Sequence, residues 1–239
     1  MSERQRVQAK ILLDAIGKAY PDAHCELDFG SPFQLLVATV LSAQSTDVAV
    51  NQVTPVLFKR WPTAKKLAKA DATQVESVLA KIGMYRQKTR HIVGLSAILE
   101  KEYNGQVPSS LEALVQLPGV GRKTANVVLG VAFGKPEGVV VDTHVQRLAQ
   151  RLGLSSHTSA ENIEQDLMVL IPREDWEAVP HLLIFHGRRC CSARKPNCVD
   201  CPVQRLCPSA FDAENVGRKI SRVAATEPNT KSRTKRKPE

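Results

Sequence analysis

Leu117-Pro118-Gly119-Val120-Gly121-Arg122-Lys123-Thr124-Ala125 is the stretch on which the reading of this chain turns. Ahead of it, Ser109 or Ser110 can start a helix that runs out at Leu117-Pro118. Behind it, Arg122 to Phe133 carries helical apolar spacing, with Gly134 as its stop. Two helices are thus joined by a turn whose glycines can take positive φ. Gly119 and Gly121 leave the first amides of the second helix uncovered. Such a terminus binds anions, because unpaired N–H groups and the helix dipole both point at the ligand. The turn therefore predicts a grip on phosphate that reads no sequence, with Gly119, Gly121 and Arg122 as contacts. Lys123 lies one or two residues into the second helix. The positive end of the dipole and neighbouring Arg122 disfavour its ammonium form, and a nucleophilic lysine must be neutral. Lys123 as a further phosphate contact is the other reading, and position alone leaves both open.

Outward from the hairpin the pattern stays helical nearly throughout. Val7, Ile11, Leu12, Ala15, Ile16 and Ala19 make an apolar face closed by Pro21, and Phe33 to Leu41 is a short, strongly apolar helix. Thr46 or Asp47 caps a helix that reaches Trp61. Thr63 and Asp71 cap two short ones, the second ending at Gly83. Gln87 to Tyr103 is stopped by Asn104-Gly105, and Ser159 and Asp175 begin two more. Val139-Val140-Val141 is the one β-like run, and three residues are too few to found a sheet. The expectation is an all-α chain of about ten helices with short loops.

Composition bounds the function. The chain has 239 residues with 33 Lys plus Arg against 24 Asp plus Glu, a net charge of +9 and a pI near 9.4. That excess suits a polyanionic partner. Eleven aromatic residues are too few for a base-stacking platform. The longest uncharged stretch, Phe29 to Thr46, contains Pro32, Gln34, Ser42, Gln44 and Ser45 and is no membrane span. The charged start MSERQRVQAK has no apolar signal core, so a cytoplasmic protein is expected. Residues 212–239 hold eight Lys/Arg, four Asp/Glu and no aromatic, and read as a disordered basic tail.

Two further motifs carry chemistry. In Val139-Val140-Val141-Asp142-Thr143-His144 the aspartate sits where an N-cap belongs, before Val145, Leu148 and Leu152. A carboxylate there can stabilise cationic charge or take a proton from a neighbouring amine. Cys191, Cys198, Cys201 and Cys207 form C-x6-C-x2-C-x5-C. Four thiolates so closely spaced can surround one metal centre, and spacing does not separate zinc from an iron–sulfur cluster. Cys25 reads as a small buried hydrophobe and Cys190 as a bystander. Arg188, Arg189, Arg194, Lys195 and Arg205 crowd the same segment and face it with positive charge.

LPGVGRKTANVV, VDTHV, the cysteine spacing after HGR, and LSAQSTDVAVN at residues 41–51 together resemble the endonuclease III family of DNA glycosylases, over roughly residues 4–210. The hairpin resembles the helix-hairpin-helix of DNA-binding proteins. The resemblance implies a six-helix barrel at about 25–135 that carries the hairpin. A second domain joins residues 1–24 to 136–211 and holds a [4Fe-4S] cluster on Cys191, Cys198, Cys201 and Cys207. A DNA-binding cleft lies between the two domains. It further implies a monomer that removes oxidised pyrimidines from double-stranded DNA and cleaves abasic sites. Lys123 would attack C1′ and form a Schiff base, with Asp142 assisting. Gln44 falls where the family fills the gap left by a flipped base, and Met84 where it often carries a leucine wedge. His144 would orient the site. Asp47 either caps its helix or lines the base pocket.

Three rivals follow from the same residues. An adenine glycosylase acting on mispairs lacks the lysine, has an acidic residue about where Val40 stands and carries an extra domain. A pyrimidine-dimer or mismatch glycosylase would use the same scaffold. A non-catalytic helix-hairpin-helix DNA-binding protein would share the charge but would have no reason to pair Lys123 with Asp142.

Overall fold

The structure, a computed structural model, describes residues 2–217. Among the described residues the regular elements are eleven α-helices and one 3-10 turn, as the periodicity predicts. Short polar side chains set most helix starts, because an oxygen one residue outside the helix satisfies an amide that has no partner within it. Helix α1 (Glu3–Ala19) opens with Ser2, which forms a reciprocal capping box with Gln5. Ser31 caps α2 (Pro32–Ser42) and Thr46 caps α3 (Asp47–Arg60). Thr63 and Asp71 cap α4 (Ala64–Ala68) and α5 (Ala72–Leu79). Helix α6 (Tyr85–Tyr103) ends on Asn104 in the left-handed region, and Ser110 caps α7 (Leu111–Leu114). Helix α8 (Arg122–Phe133) stops at left-handed Gly134. Asp142 and Ser159 cap α9 (Thr143–Arg151) and α10 (Ala160–Leu170), and α11 (Ala178–Arg189) follows.

Several boundaries differ from expectation. Helix α6 starts two residues early, because Met84 takes φ 56° and turns the chain into the helix from a left-handed residue. Asp175 ends a 3-10 turn (Arg173–Asp175), and α11 begins only at Ala178. Val7 and Ile11 stay about half exposed, while Ala9, Leu12, Leu13 and Ile16 are buried, so α1 is rotated relative to the face read from its sequence.

Two apolar cores form. The first draws on residues 27–129. At its centre α2 is buried on all sides: Phe33 and every residue from Leu35 to Leu41 are shielded. That explains the long uncharged stretch, since a helix surrounded by protein needs no polar face. No helix among the described residues is long and apolar enough to cross a membrane. The second core joins residues 9–20 of α1 to residues 139–203. The chain's first helix thus packs with its last ones, and α1 touches both α10 and α11. Residues 212–217 were read as the start of the tail, yet they pack onto the second core's side: Ala213 is 2% exposed and the Val216 carbonyl accepts from Arg151 Nε at 2.9 Å. The remainder of that expected tail, 218–239, lies outside the described residues.

Candidate active site and metal centre

The hairpin forms between α7 and α8. Gly119 has φ +77°, and a Cβ there would lie 2.6 Å from His91 Nδ1, so both conformation and space demand glycine. Gly121 differs: its φ is −94°, it N-caps α8 without any side-chain hydrogen bond, and a Cβ on it would meet nothing within 4 Å. The start of α8 therefore has open space beside Gly121. Arg122, expected as a phosphate contact, also has a partner within the protein. Its Nη2 lies 3.0 Å from Glu164 Oε1 and its Nε 3.2 Å from Oε2. The Glu164 carboxylate also accepts from Asn126 Nδ2 at 3.4 Å and is only 10% exposed. Arg122 thus fastens the hairpin helix to α10. Lys123 beside it is exposed.

Across from the hairpin, Asp142 caps α9. Its Oδ1 accepts from the amides of His144 and Val145, both at 2.8 Å. The charges of Asp142 and Lys123 both act on Asp47 and on His144, which brings the four side chains to one locale. Burial pushes the Asp47 carboxyl above the ordinary carboxylate range, with Asp142 adding repulsion and Lys123 opposing it. Burial also pushes the His144 imidazole below its ordinary value, against the pull of Asp142. Arg188 of α11 reaches over to Asp47 Oδ2 at 2.9 Å and also pairs with Glu26, joining the second core to the first. Asp47 lies just inside α3, and Thr46 supplies the cap instead, so the capping alternative for Asp47 falls away. The sequence marks Arg188 only as part of a basic rim. Its acidic partners are 141 and 162 positions distant, beyond any local signal.

Gln44 and Met84 are both exposed and both left-handed, with φ 53° and 56°. Side chains held in that region cost free energy that the surroundings must offset, and such residues cluster at binding sites. Met84 is 45% exposed, which excludes core packing as its role. Buried Lys88 donates from Nζ to Ser45 Oγ at 2.7 Å and ties the Gln44 turn to the start of α6, next to Met84.

With His186 in its wall, a single small pocket is lined by Cys190, Cys191, Cys198, Cys201 and Cys207. All are free thiols. Burial pushes the Cys201 and Cys207 thiols up and Cys190 to about 12, so a nearby metal charge is what would hold them as thiolates. Cys190 is no bystander in space: its sulfur, Cys201 Sγ and a His186 nitrogen all lie within 4.8 Å of one another. Cys25 is partly buried against the first core. The pocket wall is braced by Arg151, which is 0% exposed. It donates to the carbonyls of Ser192 (2.8 Å), Ala193 (2.9 Å) and Val216 (2.9 Å) and to Cys191 Sγ (3.4 Å). Four residues before it, Arg147 donates to the carbonyls of Gly187 and Cys191. The i, i+4 spacing of these arginines on α9 was visible in the sequence, but nothing local marked them as buried.

A sequence profile of the HhH-GPD superfamily of base excision DNA repair proteins matches residues 37–173. Endonuclease III of Synechocystis sp. (strain ATCC 27184 / PCC 6803 / Kazusa) is 51% identical over 209 residues, which is 87% of this chain and 94% of that protein. A trapped covalent intermediate of endonuclease III with DNA, an estranged-adenine complex, superposes with a TM-score of 0.82 at 45% identity. That match covers 89% of this chain and 99% of the other. A non-covalent endonuclease III–DNA complex superposes with a TM-score of 0.83 at 44% identity, over 90% and 100% of the two chains. The all-helical architecture accords with these matches. The chain belongs to the endonuclease III family, the DNA glycosylase/AP lyases of base excision repair.

Proposed function

We propose that the chain excises oxidised pyrimidines from duplex DNA and then cuts the backbone 3′ to the abasic site through a Schiff base on Lys123. The observation that carries this reading is the exposed lysine at the uncapped start of α8, within electrostatic reach of the Asp142 cap. The bare amides of α8 hold a backbone phosphate. The duplex lies in the cleft between a barrel domain, residues 25–135, and a second domain of residues 1–24 and 136–211. Gln44 and Met84 enter the base stack and favour extrusion of a weakly stacked lesion. The Lys123 amine attacks C1′, and the base leaves with the electron pair of the glycosidic bond and takes up the proton that the amine gives up. Asp142 stabilises the positive charge that develops on the sugar, and His144 orients it. Ring opening leaves an imine between Lys123 Nζ and C1′. Loss of a C2′ proton then expels the 3′ phosphate, and water releases the lysine.

Cys191, Cys198, Cys201 and Cys207 suit a [4Fe-4S] cluster, since all four line one apolar pocket. A cluster on these four cysteines would hold the arginine-rich loop in shape against DNA. The protein works as a monomer on chromosomal DNA in the cytoplasm. Borohydride trapping on duplexes carrying thymine glycol or dihydrouracil tests the reading. A covalent adduct forms with the native chain and is absent in Lys123→Gln. No adduct and no cleavage on any damaged duplex would overturn it. Brown protein with iron and sulfide in cluster proportion distinguishes the cluster from zinc.

A further inference from the structure

Cys190 is the thiol that the catalytic reading does not use, and it is placed for metal binding. His186, Cys190 and Cys201 offer ligand atoms that all lie within 4.8 Å of one another, and of the four spaced cysteines only Cys201 belongs to that group. A tetrahedral zinc ion, with Zn–S near 2.3 Å and Zn–N near 2.0 Å, sets its ligands about 3.5–3.8 Å apart. His186 Nε2 stands 3.8 Å from Cys201 Sγ. The other ring nitrogen, Nδ1, lies 3.2 Å from the Tyr20 hydroxyl. With Nδ1–H donating to that oxygen, the Nε2 lone pair faces the sulfurs, the arrangement that metal-bound histidines keep. The imidazole is 0% exposed and packs against the Tyr20 ring at 5.7 Å, so its direction is fixed before any ion arrives. The Cys190 thiol donates a long bond of 3.4 Å to the Asn197 carbonyl, which it can give up at little cost.

We propose that the cysteine pocket contains a second, mononuclear metal site. His186, Cys190 and Cys201 bind one thiophilic divalent cation, zinc in kind, when no cluster occupies the pocket. The two thiols release their protons to solvent, the imidazole supplies a lone pair, and the fourth position goes to water or another pocket thiol. No electron is transferred. Because both occupants need Cys201, they exclude one another. The zinc form ties the end of α11 to the cysteine loop through the same sulfur the cluster would use, and so holds the loop closed when iron is scarce. The proposal is independent of the roles given to Lys123 and Asp142.

The full chain expressed in iron-depleted, zinc-supplemented medium tests it. The expected result is one bound zinc per chain, with an X-ray absorption shell of mixed nitrogen and sulfur. Cys190→Ser should bind zinc at least about tenfold more weakly. Cys25→Ser should match the native chain. Cobalt(II) in place of zinc should give tetrahedral thiolate bands that Cys190→Ser loses. In iron-replete medium Cys190→Ser should keep the native iron–sulfur absorbance. A chain that takes up no zinc, an all-sulfur shell, equal zinc affinity in Cys190→Ser, or loss of the cluster from that variant would each overturn the proposal.

Discussion

Asp142 caps α9, and the proposed reaction gives the same carboxylate a second task that substitutions can separate from the first. Asparagine keeps an oxygen for the His144 and Val145 amides, which Asp142 now serves at 2.8 Å, but brings no charge. Asp142→Asn is expected to fold as the native chain does and to lose at least about 100-fold in glycosylase rate. Asp142→Ala should in addition lose about 1 kcal/mol of stability, the usual value of an N-cap. Denaturant unfolding beside single-turnover kinetics measures both, and unchanged turnover in Asp142→Asn would remove it from the chemistry. The hairpin glycines differ in the same manner. Gly119→Ala places a methyl 2.6 Å from His91 Nδ1 at φ +77° and should cost about 1–3 kcal/mol. Gly121→Ala meets nothing within 4 Å. Its stability should move by less than about 0.5 kcal/mol, while its methyl obstructs the approach of a phosphate. Thermal melts and duplex-binding titrations at fixed salt should therefore rank the two variants in opposite orders.

At the scale of elements, α8 is held in place by more than its own packing. The Arg122–Glu164 pair links its first turn to α10, and Asn126 one turn on reaches the same carboxylate. A Cβ at Gly138 would run into that carboxylate, so the connection from α8 to α9 must pass it as bare backbone. The helix that carries Lys123 and the one that Asp142 caps are thereby set against a common anchor. Glu164→Gln keeps an acceptor and removes the charge, and the arginine is 45% exposed, so the stability loss should be modest, about 1–2 kcal/mol. If the anchor positions Lys123, the rate of borohydride-trapped adduct formation at saturating DNA falls several-fold as well. A drop in melting temperature with an unchanged trapping rate would assign the pair to stability alone.

Over the whole molecule, Arg151 is the tie between the second core, the cysteine loop and the segment that ends the described chain. Its guanidinium meets three carbonyls and one cysteine sulfur with no exposed surface. Replacing it by methionine preserves much of the volume and leaves those carbonyls without donors, each at about 1–3 kcal/mol. Arg151→Met is expected to lower the melting temperature and to speed loss of metal from the cysteine pocket under chelator, while Lys123 and Asp142 remain in place. Native metal retention in a folded Arg151→Met protein would show that the four cysteines hold the loop without the brace.

Helix starts were readable from Thr46, Thr63, Asp71, Ser110, Asp142 and Ser159 because capping acts within three or four residues of the cap. The same locality exposed Lys123 at the start of its helix, Asp142 at its cap, and four cysteines close enough in the chain to share a centre. Other features depend on partners far away in sequence. Arg122 finds Glu164 across 42 positions and Tyr20 finds His186 across 166. The buried face of α1, the interior place of Arg151 and the arrival of Cys190 beside Cys201 also follow from how the two cores assemble. Local chemistry thus marked the candidate residues and where the helices begin. The packing of two cores decided which charges face each other, because the partner that satisfies a buried polar group is chosen by proximity in the fold and not along the chain.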